Sequence, residues 1–227
     1  SHILDSYHRE CIHILLDKEC NDDDIIILSD LDELPSFELV SRIKRSKKID
    51  NITVFIQHEF KYFLNNFSGS NWNGSIASPY RLIKNYSLNE LRLNSKNLSK
   101  ISNAGYHFTS IGDKKTIIKK IESWAHQEFN EKIIKDNIEE NLKNGKDIFY
   151  RFKRSKNIIL NIYKNDIIDS RMNKILLSYE QLIMQRINYS FTFSIRYLFN
   201  QLLFNAKRVF KNPKKFIIKL FGYLLKK

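Results

Sequence analysis

Three acidic residues follow a short apolar run near the start of the chain. Ile25–Leu28 has the pattern of a short strand buried on both faces, and Asp30, Asp32 and Glu33 come next, before Pro35. In open α/β sheets, ligands bind beyond the carboxyl ends of the strands. Two carboxylates at i and i+2 can both reach one divalent ion there, and such an ion neutralises a diphosphate leaving group. The alternative is a solvated acidic turn in which the aspartates make Asx turns.

A glutamate in the middle of the chain is the candidate general base. Residues 114–129 predict a helix, and Glu128 falls on its apolar stripe with Ile121 and Trp124. A carboxyl group on an apolar stripe is costly unless it faces a cleft or a partner, and such surroundings raise its pKa toward that of a useful base. The alternative role of Glu128 is a structural ion pair. His126 is close in sequence, but in a continuous helix it lies about 200° away around the axis.

The remaining pattern predicts an α/β fold. Hydrophobic residues make up 42% of the 227 residues, which is enough for a packed core and excludes global disorder. The two cysteines cannot form a disulfide framework. We expect a main α/β region over residues 1–169 and a basic helical tail over 170–227. Periodicity predicts helices over 3–19, 36–47, 114–129 and 130–144 and from 170 onward, one or two strands over 51–63, further strands over 25–28, 76–83 and 105–109, and a loop over 65–79.

Positive charge is concentrated at the end of the chain. The formal net charge is +13, and the stretch from Arg186 to Lys227 carries ten bases and no acidic residue. One helix face there is apolar, and it comprises Ile195, Leu198, Phe199, Leu202, Leu203, Ala206, Val209 and Phe210. A second apolar and basic segment follows Pro213. This composition favours an interfacial helix pair on an anionic membrane, and the alternative is a helix packed on its own domain. A nucleic-acid site is not expected, because no nucleic-acid motif occurs.

Six segments resemble, in order, the motifs of glycosyltransferase family 17, which includes the β-1,4-mannosyl-glycoprotein 4-β-N-acetylglucosaminyltransferases. The acidic run at residues 29–35 is similar to the signature SD-x-DE-[IL]-P, and Gly105–Thr109 resembles G-W-H-F-S. The other similar segments are residues 7–10, 62–74, 121–128 and 144–151. Tyr7 and Tyr106 replace tryptophans of the family motifs. The resemblance covers about residues 7–155.

The resemblance implies a GT-A-like nucleotide-sugar transferase fold. It further implies an inverting, metal-assisted transfer of N-acetylglucosamine from UDP-GlcNAc to a glycan acceptor. Asp30 and Asp32 become the residues for a Mn²⁺ or Mg²⁺ ion, and Glu128, Glu33 and His126 become the catalytic candidates. Glu33 either points to the sugar or caps the following helix.

Three further residues are candidates for substrate binding. Arg9 either reaches the donor phosphates or pairs with Glu10 inside the fold. Trp72 either stacks on a sugar face or anchors the core. His107 either contacts the metal or a phosphate, or it is a hydrogen-bonded structural histidine.

Few residues precede the acidic strand compared with family members, which normally carry the first strands of the nucleotide-binding fold there. We therefore expect a fragment or a divergent short member that lacks part of the uridine pocket. The alternative function is a non-catalytic remnant that binds glycans or membranes without transfer. No secretory signal is visible, and with the basic tail this leads us to expect a cytoplasmic protein held peripherally on a membrane.

Overall fold

The computed structural model describes residues 2–46, 48–124, 126–151, 158–162, 164–187 and 190–211. The helices in these residues are α1 (His2–Glu10), α2 (Ile12–Glu19), α3 (Phe37–Ser46), α4 (Tyr80–Ile83), α5 (Leu88–Leu93), α6 (Lys114–Ser123), α7 (Lys132–Asp136), α8 (Ile138–Lys143), α9 (Ser170–Leu177) and α10 (Phe191–Lys211). The strands are β1 (Ile25–Leu28), β2 (Glu33–Pro35), β3 (Thr53–Lys61), β4 (Asn66–Pro79), β5 (Ser99–Ile101), β6 (Gly105–Thr109) and β7 (Ile158–Ile159). The architecture is mixed α/β, as predicted.

The strands form one mixed sheet, in which five of them follow the order β1-β4-β3-β6-β2. Of the other two, β5 pairs with β3 and β7 pairs with β4. Strand β3 is parallel to β5 and β6, and the other pairings are antiparallel. Because successive side chains of a strand face opposite sides, β3 contributes to two cores. Phe55 packs with Leu39 and Ile43 of α3, and Val54 packs with Ile83 of α4. Strand β1 is a half-buried edge strand with an antiparallel partner, so the predicted burial on both faces is wrong.

The loop predicted over residues 65–79 is wrong, because this segment is β4, the longest strand of the sheet. Small polar residues made it resemble a loop. In the fold its buried Ser75 accepts a hydrogen bond from Gln57 of β3 (3.2 Å) and from the hydroxyl of Ser29 (2.7 Å). The pairing of β4 with β1 on one side and β3 on the other thus overrides its low strand propensity. The strand predicted over 76–83 is partly wrong, since β4 ends at Pro79 and α4 follows.

The predicted continuous helix over 114–129 is wrong, because α6 ends at Ser123 and Gln127–Phe129 form a 3₁₀ turn. The Gln127 side chain donates hydrogen bonds to the carbonyl groups of Ile121, Glu122 and Trp124, and so satisfies groups left without partners at the helix end. Further along the chain, residues 130–144 contain the two short helices α7 and α8. The helix predicted from residue 170 onward is divided into α9 and α10.

The chain divides into two compact units. The first comprises Ser1–Asp113 and Lys156–Met184 and contains the sheet, and the second comprises Lys114–Ser155 and Gln185–Lys227. In the second unit, α10 packs its Phe204 ring against the rings of Tyr150 and Phe129, at centroid distances of 6.1 and 6.2 Å. The boundary predicted at residue 169 stays a prediction.

The predicted tail is described only as far as α10. The second apolar and basic segment, after Pro213, lies outside the described residues. Within the parts of the chain that the structure describes, no helix is long and apolar enough to cross a membrane.

Candidate functional site

The acidic run forms a turn between β1 and the edge strand β2. We call residues 29–33 the acidic turn. The backbone N–H of Glu33 donates to the Asp30 carbonyl (3.0 Å), and the N–H of Phe108 in β6 donates to the Asp32 carbonyl (2.8 Å). The Leu31 side chain at the tip is fully exposed. The side chains of Asp30 and Asp32 are 41% and 33% exposed. The turn therefore presents two carboxylates to solvent at the edge of the sheet.

Glu33 is the buried carboxylate of the turn, with a side chain only 1% exposed. Its Oε1 accepts hydrogen bonds from Trp72 Nε1 (2.8 Å) and from the Arg92 guanidinium, and its Oε2 accepts from the Asp30 N–H (3.3 Å). These partners offset the cost of burying the charge. The Ser36 hydroxyl caps α3 (3.2 Å), so the alternative that Glu33 caps this helix is wrong.

Two arginines pair with carboxylates of the turn. Arg9 Nη2 lies 3.1 Å from Asp30 Oδ1, and Arg92 Nη2 lies 3.1 Å from Asp30 Oδ2. Arg92 also donates to the carbonyl groups of Asn73 and Gly74, so one planar guanidinium ties the turn to β4. The Glu10 carboxylate instead accepts hydrogen bonds at the start of α5, and the expected pairing of Arg9 with Glu10 is not found among the described contacts.

His107 lies between two carboxylates. Its Nε2 is 3.6 Å from Asp32 Oδ1, and its Nδ1 is 3.8 Å from Glu59 Oε1. Its ring stacks on Trp72 with 4.0 Å between centroids and 12° between planes. Within the described residues, the buried Nδ1 has no hydrogen-bond partner at normal distance. The imidazole is held by stacking and burial, and its two ring nitrogens face the carboxylates of Asp32 and Glu59.

The donor set fits a divalent ion that is shared with a substrate. The described residues hold no group of three His, Cys, Asp or Glu side chains placed for a metal. Mg²⁺ in phosphate-transfer sites keeps several waters and takes only one or two carboxylates plus the substrate phosphates. The Asp32 carboxylate at the exposed turn meets this requirement. Asp30 meets it less well, because two guanidinium groups hold its oxygens.

His126 and Glu128 lie together in the second unit, with His126 Nδ1 3.1 Å from Glu128 Oε1. Burial raises the pKa of Glu128, but a backbone hydrogen bond, His126 and Arg208 together lower it below the ordinary value of a glutamate. The expected rise of the Glu128 pKa is therefore wrong. The reason is that α6 ends before Glu128, which leaves its carboxylate 44% exposed beside His126 rather than on an apolar stripe.

A family model described as glycosyltransferase family 17 matches residues 1–198 of the chain. The matched region includes the acidic turn, its arginines and the His126–Glu128 pair. The chain belongs to glycosyltransferase family 17. Comparisons with curated proteins and with solved structures find no match. Membership in family 17 makes the protein a glycosyltransferase, with a sugar donor and a glycan acceptor as its general reactants.

The candidate site includes two residues that the sequence patterns miss. Arg92 belongs to a polar segment with no clear periodicity, and no motif marks it. Glu59 lies in β3, where polar and apolar residues are mixed, and its only signal is that a largely buried charge in a strand needs a partner. It has Lys61 Nζ at 2.7 Å and the Ser68 hydroxyl at 2.7 Å as partners. The first unit brings together the predicted residues Arg9, Asp30, Asp32, Glu33, Trp72 and His107, and the second holds His126 and Glu128.

Proposed function

We propose that this family 17 enzyme is an inverting, metal-assisted N-acetylglucosaminyltransferase with a GT-A-like domain. Its donor is UDP-GlcNAc and its acceptor is a glycan. The observation that carries the proposal is the acidic turn, in which the carboxylates of Asp30 and Asp32 are partly exposed and Asp30 lies beside Arg9 and Arg92. A sugar diphosphate needs positive charge on its phosphates, and such a turn supplies an ion ligand and the part-exposed Arg9 guanidinium.

Asp32 would hold the Mn²⁺ or Mg²⁺ ion. When bound, the ion neutralises charge on the departing UDP. The Arg9 side chain is 30% exposed and is the guanidinium that reaches a donor phosphate. Glu33 and Arg92 act as positioning residues, because their contacts keep the turn in one conformation. The stacked rings of Trp72 and His107 form the wall beside the donor.

Glu128 is the proposed base. In an inverting transfer, the acceptor oxygen bonds to the anomeric carbon as the bond from that carbon to the UDP oxygen breaks, and a base takes the hydroxyl proton. The lowered pKa of Glu128 keeps its carboxylate ionised at neutral pH and able to accept this proton. His126, 3.1 Å away, orients the carboxylate.

Calorimetric titration with UDP-GlcNAc, with and without Mn²⁺, tests the donor site. We expect binding that requires Mn²⁺ and is lost in Asp32→Ala. The control is Asp50→Ala, which removes an exposed carboxylate elsewhere in the same unit and leaves binding unchanged. Binding that is equal with and without metal, or equal in the two variants, contradicts the proposal.

Transfer itself distinguishes the enzyme from the alternative function, a non-catalytic remnant that binds glycans. Radiolabelled UDP-GlcNAc is incubated with a panel of mannose- and GlcNAc-containing oligosaccharides and Mn²⁺. We expect a labelled β-linked product, with a rate lowered by about 10²-fold or more in Glu128→Gln. Donor binding without any product favours the remnant.

The exposed face of α10 supports a peripheral membrane position on the cytoplasmic side. The apolar stripe of α10, defined as Ile195, Leu198, Phe199, Leu202 and Leu203, has side chains between 41% and 59% exposed. Helix α10 packs on its own unit through Phe204, as the alternative expects, and this packing leaves the stripe about half exposed. Apolar side chains on a helix within a strongly basic stretch suit a bilayer with anionic lipids.

Vesicle co-sedimentation tests this attachment. The full chain is mixed with phosphatidylcholine vesicles that contain either no anionic lipid or about a third phosphatidylserine. We expect binding to the anionic vesicles only, and its loss in Leu202→Glu. Ser102→Glu adds the same charge at an exposed turn of the first unit and serves as the control. A chain that stays in the supernatant, or equal binding by both variants, contradicts the attachment.

A further inference from the structure

A cavity lies on the opposite face of the sheet from the acidic turn. Successive residues of β6 face opposite sides, so His107 points to the acidic turn and Tyr106 points to this cavity. Its volume is about 520 Å³, within the range of roughly 300–1,000 Å³ that small-molecule sites occupy. We call it the α3–α9 groove, and its lining includes Phe37, Glu38, His58, Asn103, Tyr106 and Asp166.

The rim of the α3–α9 groove carries hydrogen-bond acceptors that are not used inside the protein. The side chains of Glu38, Asn103 and Asp166 are exposed there. Among the described residues, none of these three side chains makes a hydrogen bond or an ion pair. Ionised carboxylates only accept hydrogen bonds, so the rim suits a ligand rich in donors such as hydroxyl groups.

The rest of the groove gives an anion little support beyond the Arg171 guanidinium, which also lies in the lining. The starts of α3 and α9 both lie in the lining, but capping side chains already accept from some of their free N–H groups. Asp169 Oδ1 accepts from the N–H groups of Arg171 (2.9 Å) and Met172 (2.8 Å), and the Ser36 hydroxyl caps α3. Burial lowers the pKa of His58, which keeps its imidazole neutral at pH 7. The carboxylates of the rim would repel an anion further.

An aromatic ring provides the apolar part of the groove. The Phe37 side chain is 59% exposed, and the Arg171 guanidinium lies over its ring at 3.6 Å. The guanidinium already occupies one face of the ring, so the ring offers a ligand cation little further cation–π attraction there. At the floor, the Tyr106 hydroxyl donates to Asp169 Oδ2 (2.6 Å) and accepts from the Asp169 N–H (3.0 Å), which fixes the base of the groove.

We propose that the α3–α9 groove binds neutral sugar residues of the glycan acceptor, apart from the residue that reacts. This inference rests on the proposed function for the identity of the ligand. Ser36 lies four positions after Asp32 along the edge of the sheet, and extended backbone covers about 3.3 Å per position, or roughly 13 Å in all. An oligosaccharide is long enough to reach around this edge from the groove to the acidic turn.

Saturation-transfer NMR and calorimetry on the full chain test the proposal. The probe is a neutral oligosaccharide of mannose and GlcNAc, titrated without donor or metal. The test variants are Glu38→Gln and Asp166→Asn, which keep side-chain size at exposed positions, and Asp50→Asn is the matched control. We expect each groove variant to raise the oligosaccharide Kd by about ten-fold and to leave UDP-GlcNAc binding unchanged.

The outcomes separate the groove from the donor site. Oligosaccharide binding that weakens in the groove variants but not in Asp32→Ala supports the groove, even if the donor fails to bind and the proposed transferase activity is wrong. Donor binding without oligosaccharide binding, or with binding that the groove variants do not change, overturns the groove. Binding of spermidine in place of the sugar, abolished by salt, overturns it in favour of a cation site.

Discussion

At the residue scale, the conformation of the acidic turn depends on the contacts of Arg92. It joins Asp30 and Glu33 to the backbone of β4, and its side chain is only 16% exposed. Removing one partner of a buried ion pair leaves the other charge uncompensated. We expect Arg92→Gln to lower the free energy of unfolding by about 3–5 kcal/mol, measured by urea denaturation.

The matched control for this change is Arg81→Gln. Arg81 pairs with Asp23 at 2.6 Å, but their side chains are 45% and 91% exposed. Exposed pairs contribute about 0–1 kcal/mol, so this variant should unfold close to the parent. Equal losses in the two variants would show that Arg92 has no special part in holding the turn.

A second prediction at this scale concerns the titration of Glu128. Its pKa in the folded protein lies below that in the unfolded chain, so its contribution to stability is present above the unfolded pKa and is lost as the pH falls through the folded pKa. His126→Ala should raise the Glu128 pKa toward the ordinary value, measured by carboxyl NMR. Lys132→Ala, at an exposed ion pair of the same unit, should leave it unchanged. No change in either variant would contradict the assigned role of His126.

At the element scale, α10 has two apolar faces with different surroundings. Phe204 is 2% exposed and packs on Tyr150 and Phe129, whereas Leu202 in the apolar stripe is 52% exposed. We expect Phe204→Ala to lower the free energy of unfolding by about 3–5 kcal/mol and Leu202→Ala to change it by no more than about 0.5 kcal/mol. The measurement is chemical denaturation. A large loss in Leu202→Ala would mean that the stripe is covered in solution.

At the scale of the whole molecule, the ten bases from Arg186 to Lys227 predict that membrane binding depends on salt. The Debye length falls from about 10 Å at about 0.1 M salt to about 3 Å at about 1 M, which screens attraction to anionic lipid. We expect the fraction of full chain bound to phosphatidylserine vesicles to fall strongly over this range. Binding that salt leaves unchanged would assign the attachment to the apolar stripe alone.

The sequence predicted the α/β class, β1, α3, β6 and the carboxylates of the acidic turn, because apolar periodicity and short motifs are local properties. It failed for β4, where Ser, Asn and Gly residues gain their partners from neighbouring strands. It also failed for the end of α6, where Gln127 satisfies the free carbonyl groups by folding back on them. Both failures arise from contacts between residues that periodicity does not relate.

The sequence by itself determined the family, since ordered motifs need no coordinates, and it determined which residue types carry charge. Only the tertiary structure decided which charges meet. Arg92 and Glu59 join the site because β3, β4 and α5 bring them to Asp30, Glu33 and His107. The tertiary structure also decided the pKa of Glu128 and the exposure of the α10 stripe. Burial and pairing depend on what packs nearby, and neighbours in space are set by the fold rather than by spacing along the chain.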